Sequence, residues 1–303
     1  MGMFSSLPEI PVQQITDPIL EASGISLFLK RLDLTHPKIS GNKWYKLKYN
    51  LLEAKKQNKN TLLTFGGAFS NHIVAVAAAG KELGFKTIGI IRGERTLPLN
   101  KVLSFAEECG MQLEYISRED YRKKEDQKFI DEFFLLPSGE AGRGVYLIPE
   151  GGSNLLAVKG CVEILNEEDR QYNYICCACG TGATLAGIIL SLKADQRAIG
   201  FSILKGENTL SEKVKDWIND SNTTKNNWEI NTQYHFGGYA KHAPELLNFI
   251  DTFRSQHNIQ LDPVYTGKMM AGIYDLISKK YFPKGSKILA IHTGGVLTPS
   301  NYK

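Results

Sequence analysis

Hydrophobic and polar positions change period again and again along this chain. From residue 61 onward, short apolar runs rich in β-branched residues alternate with stretches whose apolar positions recur every three or four residues. The runs predict strands at 62–65, 87–92, 112–116, 145–148, 174–179, 198–203, 230–234 and 287–291, with an earlier one at 25–30 inside an N-terminal arm, 1–34, that reads as scaffolding. The periodic stretches predict helices at 70–83, 99–109, 121–134, 155–166, 183–192, 210–218, 244–257 and 268–281. A further helix opens at Ser40-Gly41-Asn42-Lys43, with Trp44, Leu47, Leu51, Leu52 and Ala54 as its apolar positions. Strands that are almost continuously apolar, most of them followed by a helix, are parallel strands covered on both faces. The expected fold class is therefore α/β, built as two doubly wound units with mostly parallel sheets. Residues 1–51 and 153–303 are expected to form the larger unit and 52–152 the smaller.

Length and composition add little beyond this. With 303 residues, 42% of them hydrophobic, the chain is long enough for two cores. A net charge of +4 comes from 36 basic and 32 acidic residues spread along the sequence, with no basic block interleaved with aromatics, so no nucleic-acid partner is expected. No window approaches the ~20 apolar residues of a membrane span, and the expected location is the cytoplasm. Five cysteines are present, three of them in Cys176-Cys177-Ala178-Cys179 within a predicted strand. Side chains alternating between strand faces are poor metal ligands, so these read as buried thiols in a reducing compartment, with no metal.

Two glycine turns stand where a strand runs into a helix. Gly66-Gly67-Ala68-Phe69-Ser70-Asn71-His72 offers backbone N–H groups at a helix start, suited to a carboxylate or phosphate, or else a plain turn with Ser70 or Asn71 as cap. Gly180-Thr181-Gly182-Ala183-Thr184 offers the same groups plus two hydroxyls, suited to a phosphate. It is neither a Walker loop nor a dinucleotide fingerprint. Lys43 completes the set, placed at a helix start where the dipole disfavours its charge. A lysine, a phosphate seat and a separate carboxylate seat are what pyridoxal phosphate chemistry on an amino acid requires.

With these stretches in hand, the chain resembles the 1-aminocyclopropane-1-carboxylate deaminase/D-cysteine desulfhydrase family, pyridoxal-phosphate enzymes of fold type II, the tryptophan-synthase β-chain fold. The resemblance runs through Gly41-Asn42-Lys43, Lys46-Leu47, Ser70-Asn71-His72, Gly151-Gly152-Ser153-Asn154, Gly180-Thr181-Gly182, Asp262-Pro263-Val264-Tyr265-Thr266-Gly267-Lys268 and His292-Thr293-Gly294-Gly295. It implies that Lys43 is the Schiff-base lysine, that Asn71 bonds the ring hydroxyl, and that Ser70, Asn71 and His72 line the substrate carboxylate seat. It further implies that Gly180, Thr181, Gly182, Ala183 and Thr184 cradle the phosphate with Lys46 as counter-charge. Thr293 is implied to lie near the pyridine nitrogen, and Tyr265 and Tyr239 to be active-site tyrosines. The larger unit is then cofactor-binding and the smaller one substrate-side, in a homodimer acting on a small amino acid.

Two departures stand out: Trp44-Tyr45 where many relatives carry Thr-Arg, and no glutamine before Ser70. Deaminases of the family resemble Tyr-Glu-Gly and His-Leu-Gly where this chain has Thr266 and Thr293, as desulfhydrases do, so Thr266 is expected at the substrate. The expected reaction is α,β-elimination from D-cysteine. The cyclopropane deaminase, another lyase or a racemase stand beside it, as do a catalytically inactive protein that only binds the cofactor and a nucleotide-binding module.

Overall fold

The computed structural model describes residues 9–39, 41–134, 144–206 and 209–295. Its strands are β1 (Val12–Ile15), β2 (Ser26–Lys30), β3 (Thr61–Gly67), β4 (Lys86–Arg92), β5 (Met111–Ile116), β6 (Val145–Ile148), β7 (Tyr174–Cys179), β8 (Arg197–Ser202), β9 (Trp228–Asn231) and β10 (Lys287–Ile291). Its helices are α1 (Pro18–Ser23), α2 (Asn42–Lys56), α3 (Asn71–Leu83), α4 (Lys101–Glu108), α5 (Gln127–Phe134), α6 (Leu155–Cys161), α7 (Ala183–Ser191), α8 (Leu210–Asn219), α9 (Pro244–His257) and α10 (Thr266–Ser278). The chain divides into two compact units, with the divisions after Lys46 and after Asn154.

The larger unit is built on a six-stranded sheet in the order β1-β2-β10-β7-β8-β9, parallel except for the edge strand β1. Period-two alternation along β7 sorts its residues between two helical layers. Cys176 and Ala178 join the core made with Leu246, Phe253, Met269 and Ile273 of α9 and α10. Cys179 faces the other way, toward α7: a Cβ built on Gly200 would meet both Leu185 Cδ2 and Cys179 Sγ. The sulfurs of Cys177 and Cys179 lie 3.8 Å apart, and the three thiols of β7 are buried. Helix α7 is apolar all round because it is buried between the sheet and the helices α6 and α8.

The smaller unit has a four-stranded parallel sheet, β5-β4-β3-β6. Leu63, Phe65, Ile90 and Tyr121 form the core on one face, and α3 covers the other, approaching so closely that a Cβ on Gly66 would meet Ile73 Cγ1 at 2.5 Å. Near the two ends of this unit, Asn154 and Asn50 exchange amide hydrogen bonds of 2.7 and 3.2 Å, and the Tyr146 hydroxyl donates to Asn50 Oδ1. That pairing is the local use of the asparagine in Gly151-Gly152-Ser153-Asn154.

Both strand orders reverse once. In the larger unit β7 leads outward to β8 and β9 while β10 lies on its other side; in the smaller, β3 leads to β4 and β5 while β6 lies on its other side. In open parallel sheets the crevice beyond the carboxyl ends of strands at such a reversal is where ligands bind. The turn Gly180–Thr184 follows β7 and Thr293 follows β10; the Gly66–Ser70 turn closes β3 and Gly151-Gly152 follows β6.

Candidate active site

In the larger unit the start of α2 is pinned against the end of β10. Gly41 adopts φ +69°, and a Cβ there would strike the Thr293 carbonyl oxygen at 1.9 Å, so only glycine fits. The Asn42 N–H donates to the same carbonyl at 3.2 Å. Asn42 then bridges two parts of the site: its Nδ2 donates to Thr184 Oγ1 at 2.8 Å, while Lys43 Nζ donates to its Oδ1 at 3.3 Å. Asn42 belonged to a quoted motif without a role of its own; the spacing shows a helix start, not a bridge across 142 residues.

Lys43 and Lys46 lie one helical turn apart. Burial pushes the Lys43 amine down to about 8. Lys46, only 2% exposed, is shifted well down by burial and by the charge of Lys43, and its Nζ donates to Thr181 Oγ1 at 3.4 Å. The Cys161 thiol beside Thr184 is pushed up to about 11 by burial and stays neutral. Helix α7 begins at Gly182 with no side-chain cap on its first turn. A half-buried and a buried amine, two threonine hydroxyls and an uncapped helix start form a donor set with a net demand for negative charge, which a phosphate group meets.

The tyrosines belong to the same unit. Tyr265 lies beside the turn after β7: its ring is 3.4 Å from the position of a Cβ on Gly180. Tyr239 meets it edge to face, with ring centroids 6.3 Å apart at 76°.

The smaller unit's seat differs from expectation. Ser70 is the N-cap of α3, accepting from the N–H groups of His72 and Ile73 at 3.2 and 3.5 Å. Two donors of the first turn are thus spent locally. His72, expected to line the carboxylate seat, is 2% exposed and lies under the sheet. Its Nε2 is 2.8 Å from Thr64 Oγ1, which gives its one proton to the Ile148 carbonyl, so Nε2 must be the donor and the ring braces β3 against β6. At the end of β4, the Arg92 guanidinium reaches 3.4 Å from a Cβ placed on Gly67. It supplies a cation beside the turn that no motif signalled.

One further expectation is revised, and two other features find a local explanation. Thr266, expected at the substrate, has no exposed surface; its hydroxyl donates to Asp262 Oδ2 at 2.6 Å and accepts from the Asp262 N–H at 2.9 Å, fastening the turn that starts α10. Gly182 is required by φ +89° and by α8, since a Cβ would come within 2.8 Å of Val214 Cγ2 and 3.0 Å of Leu210 Cδ1. Trp44 and Tyr45, which depart from the family pattern, are buried, the former stacked on His36 at 5.2 Å.

Comparison with known proteins identifies the family. Residues 10–294 match the family described as pyridoxal-phosphate dependent enzyme. A protein of Pyrococcus horikoshii, by its name a candidate 1-aminocyclopropane-1-carboxylate deaminase, is 32% identical over 97% of this chain and 91% of its own. The bifunctional D-cysteine desulfhydrase/1-aminocyclopropane-1-carboxylate deaminase of Arabidopsis thaliana, a mitochondrial protein, is 33% identical over 91% of this chain and 73% of its own. The crystal structure of an ACC deaminase homologue superimposes with a TM-score of 0.83 at 29% identity, over 96% of this chain and 90% of that one. The chain belongs to the pyridoxal-phosphate-dependent enzymes of fold type II, in the 1-aminocyclopropane-1-carboxylate deaminase/D-cysteine desulfhydrase family. Among the described residues no helix is long and apolar enough to cross a membrane, and no cluster of metal-ligating side chains occurs.

Proposed function

We propose that this lyase eliminates sulfide from D-cysteine, giving hydrogen sulfide, ammonia and pyruvate, with the larger unit holding the cofactor and the smaller one serving the substrate. When bound, pyridoxal phosphate supplies an electron sink for the pair left at the substrate's α-carbon. Lys43 holds the cofactor's aldehyde through Nζ. Once displaced by the substrate's amine, the same nitrogen is a free amine titrating near 8, partly neutral at physiological pH, and serves as base for the α-proton. Lys46, Thr181, Thr184 and the start of α7 take the phosphate. Ser70 and Asn71 receive the substrate carboxylate, Asn71 also reaching the ring hydroxyl, and Tyr265 and Tyr239 present their hydroxyls to the reacting carbons. Thr293 offers the pyridine nitrogen a neutral partner, a milder electron sink that favours elimination over racemisation.

The observation that carries the choice of substrate is the closed pairing of Thr266 with Asp262. The Asp262 carboxylate already accepts from the N–H groups of Val264, Tyr265 and Thr266 and from the Thr266 hydroxyl. Where the family's deaminases resemble Tyr-Glu-Gly, this chain has an uncharged threonine whose hydroxyl is already given to Asp262. Opening a cyclopropane ring has no stable leaving group to draw on, whereas thiolate is a stable anion near neutral pH. The purified enzyme should release sulfide from D-cysteine with a kcat/KM well above that for keto-acid release from 1-aminocyclopropane-1-carboxylate. A ratio favouring the cyclopropane substrate overturns the assignment, and L-cysteine assayed beside it decides handedness. We also assign a cytoplasmic homodimer; a single-chain mass in sedimentation equilibrium overturns the dimer.

A further inference from the structure

We propose that Lys268 is a positioning residue whose buried ammonium group holds the 235–241 loop in the path that sets Tyr239 against Tyr265. This rests on the reading above that the two tyrosines face the reacting carbons.

Lys268 is the third residue of α10 and has no exposed surface. A cation there works against both the helix dipole and desolvation, so its presence calls for a compensating use. That use is visible in its partners: Nζ donates to the carbonyls of His235 at 2.8 Å and Gly238 at 2.7 Å. Both carbonyls also close turns of the loop, accepting from the N–H groups of Gly238 at 2.9 Å and Lys241 at 3.1 Å. One ammonium group therefore grips both turns through charge-assisted bonds.

The loop needs holding. Phe236, Gly237, Gly238 and Ala240 all have positive φ, at 47°, 94°, 111° and 54°. Two of these are not glycine and sit in a region that L-residues with a Cβ enter only under constraint. Tyr239 lies between Gly238 and Ala240, so the direction of its ring is set by this strained path. Tyr265, its edge-to-face partner, lies at the N-cap of α10, three residues before Lys268. The start of one helix thus fixes one tyrosine directly and the other through the lysine. Burial pushes the Lys268 amine down to about 8, against an opposing pull from Asp262, yet even the neutral amine retains two N–H groups for the two carbonyls.

The test uses Lys268→Met, which removes the donors, Lys268→Gln, which keeps two N–H donors without charge, and Tyr239→Phe, singly and combined with each. In cofactor-free protein, Lys268→Met should lower hydrogen-exchange protection of 235–241 while peptides elsewhere keep theirs. In the holoenzyme, kcat should fall about 10- to 100-fold with a smaller change in KM, the scale expected when a reacting group is misplaced by about 1 Å. Tyr239→Phe should cost much less in the Lys268→Met background than in the wild type, because the lysine acts through that ring. Lys268→Gln should restore part of the protection and the rate, and should answer the same questions if the methionine variant does not fold. Protection lost evenly across the chain, or rate losses of Lys268→Met and Tyr239→Phe that multiply in full, would overturn the proposal. A loosened loop combined with a kinetically silent Tyr239→Phe supports the clamp while overturning the tyrosine's place in the reaction.

Discussion

Lys43 is the second residue of α2, and its amine titrates at about 8 instead of the usual 10.5 because burial disfavours the charged form. Between those values the unfolded chain holds a proton that the folded chain lacks, so this group makes the cofactor-free protein more stable as pH rises from about 8 toward 10.5. Urea unfolding of the cofactor-free wild type and Lys43→Met across that window should show the wild type gaining on the variant with pH; parallel curves would refute the lowered value. The variant should also lack the visible absorbance of the bound cofactor. At this scale the sequence was readable where spacing alone carried the message. Lys43, Lys46 and Thr181 do come together in one unit, since a turn of helix and a glycine turn set their places. The parts of His72 and Thr266 were not readable, because each depends on which way a side chain turns: His72 toward Thr64, Thr266 toward Asp262.

Among the elements, α7 shows how a glycine motif can be conditioned by packing as much as by ligand. Gly182→Ala should destabilise the cofactor-free protein by about 1–3 kcal/mol, from left-handed strain and the collision with α8. Chemical denaturation measures this; unchanged stability with weakened cofactor retention would restore a purely ligand-based reason for the glycine. Period and turn chemistry located the parallel strands to within a residue or two, except β9, which lies at Trp228–Asn231 and not 230–234. There Tyr234 leaves the strand to donate to Asp275 and pack on Phe201. The helix expected over 121–134 is broken: a 3-10 turn spans Asp120–Lys123, and Asp126 caps a fresh start by accepting from the N–H groups of Lys128 and Phe129. The helix expected over 155–166 ends at Cys161 and tightens into a 3-10 turn, Val162–Ile164. The short elements β1 and α1 had too few residues to show a period.

At the scale of the whole molecule, the described residues of the smaller unit form one continuous stretch of chain from Leu47 to Asn154, while those of the larger come from before it and after it. The bond from Asn42 to Thr184 spans 142 residues. On a ribosome adding ~5–20 residues per second, Lys43 therefore waits roughly 7–28 s for the phosphate turn to be made. The smaller unit meanwhile has its complete sequence and can acquire protease resistance first. Nascent chains arrested with about 160 residues emerged should show a resistant core within Leu47–Asn154 and no borohydride-trappable cofactor on Lys43. Chains arrested with β10 emerged should trap it. Cofactor capture by the shorter chains would show that the lysine does not need its distant partners. Otherwise the cofactor is acquired only when synthesis is nearly finished, and a truncated translation product carries the lysine without the means to load it.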